Sequence, residues 1–216
     1  MEIKVFKNIM SSNQELADSN RELFKKHHLT VINVMASPGS GKTSIILRII
    51  ESLRDKIKIG VIEGDIASSI DAETIDSLGI PVVQINTGRG CHLDANMIRA
   101  VLVDLQLENN SILFIENVGN LVCPSAFDLG ESIRMVIASV PEGHDKPYKY
   151  TSIFESADVI ILNKMDLMPY IDFDSEKFYR GIGALKPEAP VFQVSCRTGE
   201  GINALVEWLE NIHKNI

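Results

Sequence analysis

The chain has 216 residues, a formal net charge of −8 and a hydrophobic fraction of 45%. That length and apolar content suit one α/β domain with a sizeable buried core and require no second one. The acidic balance, with a pI near 5.1, excludes a nucleic-acid backbone as the main partner, because neutralising polyphosphate needs a basic face. No apolar run approaches the length of a membrane span, and the start MEIKVFKN leads into no signal-like apolar stretch. No membrane partner and a cytoplasmic location are therefore expected. Three cysteines, Cys91, Cys123 and Cys196, are an odd count for a reducing compartment and point to metal or catalytic use before disulfides.

In chain order, Ile9, Leu16, Leu23 and Phe24 recur at helical spacing among polar residues. They predict an amphipathic helix over 9–28, within a segment 1–30 that packs on the core as a lid or docking helix. From Val31 the pattern alternates. Strands are predicted near 31–35, 58–62, 81–85, 111–115, 133–139, 158–162 and 190–194, with helices near 42–54, 70–78, 94–105, 175–185 and 201–213. A long loop is expected over 141–150. Runs such as Ile112-Leu113-Phe114-Ile115 and Val159-Ile160-Ile161-Leu162 imply strands buried on both faces. The fold class read from this is a P-loop NTPase three-layer α/β/α sandwich with a mostly parallel central sheet, occupying 31–216. In such sheets ligands gather at the carboxyl ends of the strands.

The loop after the first strand reads Ala36-Ser37-Pro38-Gly39-Ser40-Gly41-Lys42-Thr43, with Ser44 next. Glycines let backbone N–H groups crowd around phosphate oxygens, and the following helix N-terminus adds partial positive charge. Lys42 is placed to reach the terminal phosphates and the Thr43 hydroxyl to ligate Mg²⁺. Ala36 stands where the first glycine of the usual pattern would be. Further along, Asn163-Lys164-Met165-Asp166 follows a buried strand and resembles the base-recognition motif of GTPases. A carboxylate at Asp166 accepts from the N1–H and 2-amino groups of guanine, whereas adenine presents a mismatched edge. Asn163 and the stem of Lys164 would frame the ring. Ser195-Cys196-Arg197-Thr198-Gly199 stands where GTPases place a loop whose backbone N–H meets the guanine 6-oxo group.

Magnesium calls for carboxylates besides Thr43, and Asp65 and Glu116 end two predicted strands that face the phosphate loop. Glu116-Asn117-Val118-Gly119 looks like the D-x-x-G switch of GTPases with Glu for Asp, and Gly119 would offer its N–H to the γ-phosphate. Lys42, Asp65 and Glu116 are accordingly the candidate catalytic residues, with Asp65 helping to position the attacking water. A second constellation lies in two loops at the same sheet edge: Cys91-His92 and Cys123. Together they make a soft nitrogen and sulfur site suited to Zn²⁺ or Ni²⁺. One chain supplies three ligands, so a metal shared across a two-fold dimer is an attractive reading. Cys196, His27 and His28 are read as structural.

With Asn86-Thr87-Gly88 leading to Cys91-His92-Leu93-Asp94, with the run Glu116 to Pro124, and with Glu142-Gly143-His144-Asp145-Lys146-Pro147, the chain resembles the HypB-like hydrogenase nickel-incorporation GTPases. This family belongs to the signal-recognition, MinD and BioD-like class of P-loop proteins. The resemblance covers the chain from about Asn20 to the C-terminal helix. It implies that Cys91, His92 and Cys123 bind nickel or zinc at a nucleotide-dependent dimer interface. It further implies slow GTP hydrolysis coupled to nickel delivery, with a companion nickel-binding protein and the hydrogenase large subunit as partners. Many relatives carry an N-terminal cysteine motif or histidine-rich stretch. This chain opens with neither, which leaves the site in the nucleotide-binding domain. Urease-accessory relatives use Cys-Pro-His, whereas here Cys91 and His92 are adjacent and Cys123 is added, favouring the hydrogenase branch. The alternatives are a urease-serving nickel GTPase, a regulatory GTPase switch with structural cysteines, and an ATP-using enzyme of the same fold, against which Asn163 to Asp166 argue.

Overall fold

A computed structural model describes residues 9–65, 70–105 and 107–215; the first eight residues of the predicted N-terminal segment lie outside the described residues. Seven strands form one sheet: β1 (Thr30–Ala36), β2 (Lys58–Asp65), β3 (Val82–Asn86), β4 (Ser111–Glu116), β5 (Ile133–Ser139), β6 (Val159–Asn163) and β7 (Val191–Gln193). Their spatial order is β3-β2-β4-β1-β5-β6-β7. Every pairing is parallel, as the unbroken apolar runs predict, because strands covered on both faces have no solvated side to alternate toward.

Eight helices accompany the sheet among the described residues: α1 (Ile9–Lys26), α2 (Lys42–Leu53), α3 (Ile70–Asp76), α4 (Ala95–Leu105), α5 (Lys146–Lys149), α6 (Thr151–Glu155), α7 (Ser175–Leu185) and α8 (Ile202–Asn215). Alternation along each strand sends side chains to two cores. On one face Ile32, Val34, Phe114 and Ile161 pack with Ile45 and Ile49 of α2, Ile75 of α3 and Leu205 and Leu209 of α8. On the other, Val31, Ile62, Leu113 and Ile115 meet Phe24 of α1 and Ile98 of α4. Beside them Val136, Ile160 and Leu162 meet Phe154 of α6 and Phe178 of α7. The result is the three-layer sandwich expected.

One expectation changes in detail. The stretch 141–150 is not a loop: a 3₁₀ turn over Val140–Glu142 is followed by α5, with Pro147 in its first turn, and then by α6. Such one-turn pieces are too short to show a 3.6-residue period. The N-terminal helix is docked on the outer layer by hydrogen bonds. Asn13 donates to the carbonyl of Asp128 at 2.8 Å and accepts from the Ala95 amide at 2.9 Å. The fully buried Asn20 donates to the carbonyls of Ala95 and Leu129. These bonds tie α1 to the start of α4 and to the turn before β5.

Because β1 lies between β4 and β5, successive strands run outward from it in opposite directions, which makes its carboxyl end the crevice where ligands bind in such sheets.

Candidate functional site

The phosphate loop leaves β1 at Ala36, which is fully buried and still paired in register with Ile137 of β5. That position is ordinary strand, so alanine fits where the common pattern has glycine. Gly41 is different. It caps α2 with φ of 100°, and a Cβ there would collide with the amide nitrogen of Asn163. That nitrogen donates to the Ser40 carbonyl at 2.9 Å, so the first residue of the base motif is also the back wall of the phosphate loop. Lys164 sits in the left-handed region with φ of 62°, and its Nζ donates to the Gly39 carbonyl at 2.6 Å. The loop is gripped from a third side by Glu142, whose Oε2 accepts from the hydroxyls of Ser40 at 2.7 Å and Ser139 at 2.8 Å. Lys146 stands 3.6 Å from the other oxygen of Glu142.

Asp166 Oδ1 accepts from the Ser195 hydroxyl at 2.7 Å, and that hydroxyl oxygen accepts from the Thr198 amide at 3.2 Å. Arg48 of α2 donates through Nε to the Cys196 carbonyl at 2.8 Å. The loop after β7 is thereby joined to both the base motif and α2. Between them lies a cavity of about 550 Å³ lined by Gly41, Ser44, Arg48, Asp166, Cys196 and Arg197 among others. It brings together the carboxylate and the loop backbone that the sequence assigned to a guanine base.

A second cavity, about 190 Å³, is lined by Pro38, Lys42, Glu63, Asp65, Asp71, Glu116 and Gly119 among others. Thr43 donates its hydroxyl to Glu116 Oε1 at 2.9 Å, and Lys42 Nζ stands 3.9 Å from the same oxygen. Glu63 is opposite Glu116 in the register of β2 and β4. Both carboxyl groups are buried, and Oε2 of each lacks a hydrogen-bond partner among the described residues. Burial is the main force on both. It pushes Glu63 up to about 8, with the neighbouring charge of Glu116 adding to it. It pushes Glu116 up to about 7 against the pull of Lys42 and Thr43. Orphaned buried carboxylate oxygens are costly, and a small divalent cation with its waters would satisfy them. The donor set therefore fits magnesium. Glu63 is absent from the sequence-derived candidates; its signal was an acid inside the otherwise apolar centre of a strand.

Cys91 and Cys123 come together from two loops, with the Cys91 thiol donating to Cys123 Sγ at 2.7 Å. His92 Nδ1 is 3.6 Å from Cys91 Sγ, and one ligand atom from each of the three residues lies within 4.8 Å of the others. The His92 ring stacks on Phe127 with centroids 3.8 Å apart, and Asn120 donates to the Cys91 carbonyl at 3.3 Å. Desolvation lowers the His92 pKa, favouring the neutral imidazole that a metal takes. The hydrogen bond with Cys123 raises Cys91, so metal uptake here releases protons. This loop also touches the phosphate end, since the Thr87 amide donates to the Asp65 carbonyl at 2.9 Å. Cys196 lies in the base cavity and His27 pairs with Asn109, so both stand apart from this cluster.

Residues 30–193 match the CobW/HypB/UreG nucleotide-binding domain family. The hydrogenase maturation factor HypB of Rhizobium leguminosarum bv. viciae is 49% identical over 208 residues, which is 96% of this chain and 70% of that protein. A crystal structure of HypB from Helicobacter pylori in complex with nickel superposes with a TM-score of 0.87 at 37% identity, covering 94% of this chain and 96% of that one. HypB from Archaeoglobus fulgidus gives 0.87 at 38% identity, covering 94% and 99%. With its phosphate loop, base motif and parallel sheet, this chain belongs to the HypB family of hydrogenase maturation factors, a P-loop GTPase family within the CobW/HypB/UreG group.

Proposed function

We propose that this chain is a GTP-hydrolysing nickel metallochaperone, acting during nickel-iron hydrogenase maturation as a homodimer whose shared metal site responds to the bound nucleotide. One observation carries the reading. The loop that carries Cys123 lines the phosphate cavity with Val118 and Gly119, and the loop that carries Cys91 and His92 is hydrogen-bonded to the same cavity through Thr87 and the Asp65 carbonyl, so the soft cluster is tied to the phosphate end from both sides. The nickel named for the Helicobacter pylori structure supports nickel as the cargo, and zinc is the competing ion for such ligands.

Residues 31–216 act as the GTP-binding unit, with segment 1–30 packed against it. Gly39 to Ser44 hold the phosphates through backbone N–H groups, and Asn163, Lys164 and Asp166 hold guanine, with the 195–197 loop meeting its 6-oxo group. Thr43, Asp65 and Glu116 would hold Mg²⁺, which when bound supplies positive charge at the β- and γ-phosphate oxygens. Lys42 neutralises charge on the transferring phosphoryl group, Asp65 orients the attacking water, and the Gly119 N–H senses the γ-phosphate. The cavity's charged walls are Lys42 and acids, which suits slow intrinsic turnover, since an added arginine is worth about 10³–10⁵ in rate in other GTPases.

Loss of the γ-phosphate relaxes the loops after Asp65 and Glu116, changes the ligand geometry and frees the metal. Three ligands per chain leave a tetrahedral site short by one, and a second subunit completes it. The recipients are a companion nickel-binding protein and the hydrogenase large subunit, in the cytoplasm, without membrane or nucleic acid.

The test is mass by light scattering together with Ni²⁺ and Zn²⁺ stoichiometry, on wild type and Cys91→Ala, with GDP and with a non-hydrolysable GTP analogue. A dimer in the GTP state that loses metal on substitution is expected. A monomer in every state with unchanged metal content would leave a simple GTPase switch.

A further inference from the structure

Coupling between metal and nucleotide requires a physical link, and one buried side chain stands where such a link belongs. Asn117 follows Glu116 at the end of β4 and is fully buried. Its Oδ1 accepts two backbone N–H groups, from Val118 at 3.0 Å and from Leu93 at 3.1 Å. Val118 and Gly119 line the phosphate cavity, whereas Leu93 directly follows Cys91 and His92. A single oxygen therefore holds the turn that faces the phosphates and the loop that carries two of the three metal ligands.

The rest of the residue is braced. Asn117 Nδ2 donates to Asn33 Oδ1 on β1 at 3.1 Å, and its backbone N–H donates to the Val34 carbonyl at 3.0 Å. Asn33 in turn donates to Glu131 at 3.2 Å, and Glu131 is fixed by Arg134 and by the Leu129 amide. The amide orientation is set by its partners, because reversing it would point N–H groups at the amides of Leu93 and Val118. The other contacts between the two loops, Asn120 to the Cys91 carbonyl and the Cys91 thiol to Cys123 Sγ, each join one group to one group. At Asn117 the two donors share an acceptor, so a shift of one changes the bond available to the other.

We propose that Asn117 is the positioning residue that couples the sites: movement of Val118 and Gly119 toward the γ-phosphate is passed through its side-chain oxygen to Leu93, and so to Cys91 and His92. This rests on the reading that metal and nucleotide binding are linked, and it names the atom that links them.

The experiment measures the Ni²⁺ dissociation constant with GDP and with a non-hydrolysable GTP analogue, on the full chain. In wild type the two should differ by about 5–150-fold, the range of ordinary allosteric coupling, and nickel should change nucleotide affinity by the same factor. In Asn117→Ala the ratio should fall to near one while nickel stoichiometry and GDP binding persist. Asn33→Ala, which frees the brace but leaves the oxygen, should give an intermediate ratio. A wild-type ratio of one overturns the linkage itself and this inference with it; a normal wild-type ratio that survives in both variants overturns the role of Asn117 alone. Should the variants not fold, residue-resolved amide exchange on wild type decides. Protection of Leu93 and Val118 should change together between nucleotides, and a change at Val118 without one at Leu93 rejects the proposal.

Discussion

The two ends of the nucleotide crevice are built on opposite terms. At the base end each named polar side chain is already engaged: Asp166 with Ser195, Asn163 with Ser40, Lys164 with Gly39 and Arg48 with Cys196. At the phosphate end Glu63 and Glu116 face each other across adjacent strands, each with a buried oxygen that no described residue satisfies. The first arrangement is pre-organised and holds its shape through its own bonds. The second stores unfavourable electrostatics that a cation and a polyphosphate can relieve, so binding there does more work on the protein. The difference teaches where a switch belongs: recognition sits in the satisfied half, and conformational response sits in the frustrated one.

The largest effect should come from Lys42→Ala. This removes the cation of the phosphate cavity and should lower the GTP hydrolysis rate by about 10²–10³-fold in a phosphate-release assay; retained turnover would reject its role. Next, Asp166→Asn should weaken GTP binding by about 10–100-fold, the worth of hydrogen bonds to a charged group. It should also improve binding of xanthosine triphosphate, whose 2-oxo group accepts where guanine donates. Calorimetric titration with both nucleotides checks it, and unchanged GTP affinity would free Asp166 from reading the base.

The acids of the phosphate end predict a pH dependence of opposite sign to ordinary salt-bridged carboxylates. Both Glu63 and Glu116 have folded pKa values above the usual carboxylate value. The native state therefore binds more protons than the unfolded one, and stability falls as pH rises from about 4.5 through 7 to 8. Thermal melts in chelator without nucleotide should show Tm declining over that window. Glu63→Gln should flatten the decline and raise Tm at pH 8 by several degrees, with about 2–4 °C expected for each kcal/mol recovered. A Tm that rises across the window would contradict the buried-acid account. The smallest effect is expected from Ser195→Ala, which takes away the hydroxyl that orients Asp166 while leaving the carboxylate. GTP affinity should drop about 3–10-fold with turnover at saturation unchanged; a loss as large as that of Asp166→Asn would show that the base end is less independent than its bonds suggest.

Sequence was informative wherever chemistry is contiguous. The phosphate loop, Asn163 to Asp166 and the Cys91-His92 pair are short words with a strand before them, and the apolar runs gave the sheet and its parallel sense. What it hid was chemistry assembled across the sheet. Glu63 reads as one acid in an apolar strand until the register sets it against Glu116. Asn33 and Asn117 are 84 residues apart and meet because β1 and β4 are neighbours. Glu142 reaches Ser40 from 102 residues away. The one-turn helices of 140–155 were invisible for a different reason, having too few residues for any period.

Asn163 is the wall against which Gly41 is pressed. Its consequence is evolutionary. A drift in nucleotide preference cannot begin at this position, because any larger side chain would deform the phosphate loop and any smaller one would release the Ser40 carbonyl. Of the base motif, only Asp166 is free to vary without dismantling the part that holds phosphate. Descendants of this chain could therefore change the base they read in one step, at one residue, while keeping the hydrolytic machinery intact.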